Sequence, residues 1–62
     1  MNREQIRKDI AAWKESQTYW ESELEESRKY GNVGQRETAE EMIRFSQQRI
    51  DELERSLVRR GA

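Results

Sequence analysis

Gly31-Asn32-Val33-Gly34 is the stretch that most constrains this chain, because it is the one interior place among 62 residues where helix-breaking residues interrupt a proline-free, helix-favouring sequence. Glycine takes the left-handed conformation that closes a helix, and asparagine accepts from the free N–H groups that open one. The four residues therefore predict the turn of an αα-hairpin. Helix one is expected over about residues 3–30, the turn over residues 31–34 and helix two over about residues 35–60, all within a single domain of residues 1–62.

Asn2 followed by Gln5 has the spacing of a capping box, so helix one can begin almost at the first residue. Its apolar seam is Ile6, Ile10, Trp13, Trp20 and Leu24, with Gln17 and Ser27 at the same helical spacing. Glu4–Lys8 and Glu25–Lys29 are acid-before-base pairs four apart, each contributing about 0.2–0.5 kcal/mol. Helix two has two candidate starts, Asn32 with Gln35 or Thr38 with Glu41, of which the earlier is favoured. Either is expected to place acids in the first turn. Its seam runs through Ala39, Ile43, Ser46, Ile50, Leu53 and Leu57, with Glu40–Arg44 and Asp51–Arg55 pairs on the surface and Gly61 as the expected stop.

Folding the arms about a four-residue turn brings residues whose numbers sum to roughly 65 to one height, given equal rise on both helices. Trp20 then lies level with Ser46, Ser27 with Ala39, and Tyr19 with Phe45. Ala12, Ser16, Tyr19 and Tyr30 lie about 80–140° to one side of the first seam, and Met42 and Phe45 are displaced in the same rotational sense on the second. In an antiparallel pair that puts them on one flank. The candidate interface is therefore Ala12, Ser16, Tyr19, Met42, Phe45 and Arg49, beside a core of Ile6, Ile10, Trp13, Trp20, Leu24, Ile43, Ile50, Leu53 and Leu57. The expected fold class is an all-α, antiparallel two-helix hairpin that completes a four-helix bundle as a homodimer, since a lone pair of helices has too little core to offset chain entropy.

Composition narrows the function classes. Charged residues make up 40% of the chain and hydrophobic residues 32%, without cysteine, so helix packing has to stabilise the fold without disulfides. No apolar run is long enough for a bilayer-spanning helix, so no membrane partner is expected and the chain is taken as cytoplasmic. The net charge of −1 exerts no bulk pull on nucleic acid. Its distribution is uneven: residues 15–41 hold eight acids against Arg28, Lys29 and Arg36, whereas the two terminal stretches are net basic.

Catalysis has little support. The chain has no histidine, so a Ser-His-Asp triad, a histidine metal site and a histidine general base are all excluded. Gly31 and Gly34 match neither the dinucleotide nor the Walker spacing. The acidic run from Glu21 to Glu26 reads as a solvated face, because a hard cation wants a looped cage of oxygens. Trp13 and Trp20 read as core aromatics, Gln17 as a buried register residue or a half-exposed polar one. Arg55, Arg59 and Arg60 could grip a phosphate backbone, but they also suit a helix C-terminus. No catalytic residue, metal ligand or cofactor is expected.

In shape and length the chain resembles the Rop-like plasmid copy-number proteins, small helical hairpins that dimerise into a four-helix bundle and bind RNA. Ser46-Gln47-Gln48-Arg49-Ile50-Asp51 is similar to the Ser-Gln-x-Leu-Asp motif of Spo0E-like phosphatases. One extra residue turns Asp51 about 100° away from the motif's position. Neither likeness covers enough of the chain to assign a family. The expected function is a non-enzymatic protein–protein interaction module, a small homodimeric accessory or inhibitor protein with a larger protein target. The alternative is a Rop-like nucleic-acid-binding regulator.

Overall fold

The computed structural model describes residues 2–61, with side chains described through Arg59. Two helices, α1 (Arg3–Tyr30) and α2 (Val33–Gly61), pack along their length as a hairpin 47 Å long and 14 Å by 13 Å in section. Asn2 opens α1: its Oδ1 accepts from the Gln5 N–H at 2.7 Å, and Glu4 stands in the first turn, where the helix dipole favours an acid. Only half of a capping box forms, because the Gln5 amide turns forward to Asp9 (3.1 Å) instead of back to Asn2.

The reversal needs two residues. Gly31 is left-handed (φ 68°, ψ 29°) and its N–H returns to the Ser27 carbonyl. The Asn32 N–H reaches the same carbonyl at 2.9 Å, the bond that closes a Schellman motif. Asn32 then starts α2, its Oδ1 accepting from the Gln35 N–H at 3.0 Å and its carbonyl from the Arg36 N–H at 3.0 Å. Val33 and Gly34, expected in the turn, are already helical, because Asn32 satisfies the donors that a longer loop would have left free.

Three further expectations change. No acid lies in the first turn of α2, which instead contains Arg36. α2 runs through Gly61, since one glycine lowers helix propensity by about 1 kcal/mol relative to alanine without forbidding the conformation. The surface pairs re-sort. Glu4–Lys8 forms at 3.7 Å, but Glu40 pairs with Arg36 (3.8 Å), Arg55 donates to the Asp51 backbone carbonyl (3.3 Å), and Lys29 lies over the Tyr30 ring (5.8 Å). These exposed pairs contribute little.

The apolar core sits at the open end of the hairpin. Ile6, Ile10 and Ile50 are buried, with Trp13, Leu53 and Leu57 packed against them. Toward the turn the buried positions are small: Ala39 and Ser46 are 0% exposed and Ser27 1%. Such residues let two backbones approach closely, and the Ser27 hydroxyl is satisfied locally by the Leu24 carbonyl at 2.6 Å. Trp20, Leu24 and Ile43 are half-buried, forming the margins of the seam.

Candidate functional site

Helical spacing decides which side chains share a surface. On α1, Ala12, Ser16, Tyr19 and Glu23 follow one another at steps of four, three and four, and on α2 Gln35, Met42, Phe45 and Arg49 follow at seven, three and four. The Gln35 amide donates to the Glu23 carboxylate across the pair, which puts both series on one flank. The opposite flank is bridged by Gln17 donating to Gln47 at 2.9 Å, and Gln47 in turn donates to Asp51 at 2.9 Å. Gln17 therefore bonds neither indole. Its cross-helix partner was legible, since Gln47 stands at the height that the folded arms assign to it.

The flank that Glu23 and Gln35 share is aromatic at its centre. Trp13 and Phe45 meet with ring centroids 5.5 Å apart and planes 79° apart, and the Arg49 guanidinium lies 6.0 Å from the Trp13 ring. Tyr19 stacks on Trp20 at 5.0 Å. The expected Tyr19–Phe45 level does not set the ring pairing: Phe45 meets Trp13, six residues nearer the N-terminus, while Gln17–Gln47 keeps the expected height. Trp13, assigned to the core, is half-buried and joins core and flank.

Each of the six candidate interface residues is at least partly open to solvent. Tyr19 is 50% exposed and Phe45 46%; Ala12 and Arg49 are exposed, Ser16 and Met42 half-buried. Glu23 and Gln35, which no apolar pattern marks, complete the flank. Their polarity hides them in a hydrophobic reading, although both lie on the same helical stripe. The Tyr19 phenol is held above the ordinary tyrosine range, first by its hydrogen bond to Glu23, then by the charge of that carboxylate, by partial burial, and by the charge of Glu26.

The other candidate features are dispersed. Among the described residues no three carboxylates gather where a metal ion could be held, the run Glu21 to Glu26 included. Asp51, at the end of the phosphatase-like segment, is exposed and occupied by Gln47 on the flank opposite Phe45. Arg55 and Arg59 are exposed and share their surface with Glu52, while Arg60 lies outside the described side chains. Among the described residues no helix is long and apolar enough to cross a membrane. The chain matches no protein-family model, and neither a curated protein nor a solved structure matches it significantly.

Proposed function

We propose that the hairpin is a non-enzymatic protein–protein interaction module, a homodimeric helical accessory or inhibitor protein that engages a larger protein through its helix faces. The observation that carries this reading is an aromatic flank left open on a rod with a small core. Tyr19 and Phe45 are about half exposed, while Ile6, Ile10, Ala39 and Ile50 are the buried apolar residues among those described. The accessible surface of 4813 Å² exceeds the about 4,250 Å² expected of a compact monomer of this mass, as the rod shape requires, and its exposed large apolar side chains include Tyr19 and Phe45.

Each copy has two flanks. Once one is used for self-association, the other faces outward, with Leu24 and Ile43 in a depression bounded by Glu40 and Arg44. A half-buried apolar pair rimmed by opposite charges is the kind of surface that docks a partner's helix or loop. Tagged protein recovered from its own host is expected to bring down one larger protein at fixed stoichiometry. Glu40→Lys combined with Arg44→Glu, which reverses the rim charges without touching the core, is expected to lower that yield at least tenfold. Unchanged recovery would remove this docking surface. RNA binding that weakens steeply with salt would replace the reading with the nucleic-acid one.

A further inference from the structure

The aromatic flank specifies its own occupant. At 47 Å by 14 Å it offers on the order of 650 Å² in projection and more as accessible surface, against about 800 Å² per partner in a standard stable interface. Contact along the whole flank is therefore needed, and an end-on or crossed partner would cover too little. A second copy, a rod of the same length, supplies that contact.

Charge selects the direction. The acids of residues 15–41 cluster toward the turn, and the open end is net basic. Two copies with turns together would set acid against acid along half the interface. With turns at opposite ends, each acidic half lies beside a basic one.

Symmetry then fixes the pairing. A two-fold axis lying in the flank and perpendicular to the rod sets α1 on α1 and α2 on α2, each pair antiparallel. An axis between Glu15 and Ser16 brings Ala12 opposite Tyr19 of the second copy and Ser16 beside its own counterpart. The contacts Gln17–Gln47 and Trp13–Arg49 put Gln47 at that same height on α2. The same axis therefore brings Phe45 opposite Arg49 of the second copy. One operation satisfies both helices: a small residue faces a large one on α1, and a guanidinium faces a ring on α2. It also sets Glu23 level with Lys8 of the second copy.

We infer that this flank is closed by a second copy of the chain in an antiparallel, isologous dimer centred on Ser16, at the height of Gln47. The inference deepens the interaction-module reading and rests on it only for the flank being an interface. The chain has no cysteine, so introduced thiols report on geometry without background. Light scattering is expected to give twice the 7.5 kDa chain mass. Under mild oxidation Ser16→Cys is expected to link two copies, because the axis brings residue 16 against itself within disulfide reach. Ala12→Arg, which keeps a good helix former, is expected to weaken association at least tenfold with helicity retained.

A parallel dimer would instead crosslink a mixture of Ala12→Cys and Arg49→Cys chains and leave Ser16→Cys reduced, which would overturn the antiparallel arrangement. A dimer that forms neither crosslink would overturn the assignment to this flank, and a monomer at every concentration would overturn the dimer. A monomer that still captures a larger protein would defeat this inference and leave standing only the protein-binding part of the proposed function, without its homodimer. A crosslinked dimer that captures nothing would do the reverse.

Discussion

The rings of Trp13 and Phe45 meet nearly at right angles, with centroids 5.5 Å apart, and so join the open-end core to the exposed flank. An edge-to-face pair contributes about 0.5–1.5 kcal/mol beyond the area it buries. Phe45→Leu keeps most of the apolar area and loses the ring geometry. It is expected to lower unfolding stability by about 1 kcal/mol, measured by urea titration of helicity. Trp13→Ala, which also opens the Ile6–Ile10–Ile50 cluster, is expected to cost on the order of 3 kcal/mol.

Gly31 and Gly34 should respond in opposite directions. At Gly31 a side chain is forced into the left-handed region at φ 68°, so Gly31→Ala is expected to destabilise by about 1–2 kcal/mol although no atom stands in its way. Gly34 is helical, and an added Cβ would meet only the Asn32 Oδ1 at an ordinary 3.7 Å. Gly34→Ala is expected to stabilise by about 0.5–1 kcal/mol. Equal effects in thermal melts would mean that the reversal is not centred on Gly31.

Ser46 is fully buried and its hydroxyl has no hydrogen-bond partner. An unsatisfied buried hydroxyl carries a desolvation penalty of about 1–3 kcal/mol. Ser46→Ala keeps the close helix approach and removes the penalty, so its denaturation midpoint is expected to rise. A fall would show that the hydroxyl is satisfied in solution.

Tyr19 supplies a pH test. Its folded-state value lies above the ordinary one near 10, so folding favours the neutral phenol. That contribution is complete below the unfolded value and is lost as pH rises through the raised folded value. In a Tyr30→Phe background, phenolate absorbance is expected to titrate later in the folded protein than in urea. Glu23→Gln, which removes the acceptor charge, is expected to shift the curve back toward the ordinary value.

The hairpin was legible because its signals are local. Asn2, Gly31 and Asn32 act within one turn of themselves, and the seam of Ile6, Ile10 and Ile50 follows from helical period alone. The candidate flank of Ala12, Ser16, Tyr19, Met42, Phe45 and Arg49 is read from helical period, which does not give its contacts. Trp13 meeting Phe45, and Glu23 meeting Gln35, lie off the expected levels and depend on the reach and rotamers of long side chains, which helical period does not determine. The rim pairs changed partners because exposed ions differ from one another by fractions of a kcal/mol.

The hairpin is fastened at its two extremities, by the Asn32 reversal at one and by the isoleucine cluster at the other. Between them, at mid-span, stand a glutamine bridge and a serine with nothing to bond. The waist is therefore where a second copy would protect amides most, and dilution to the monomer is expected to speed exchange there first.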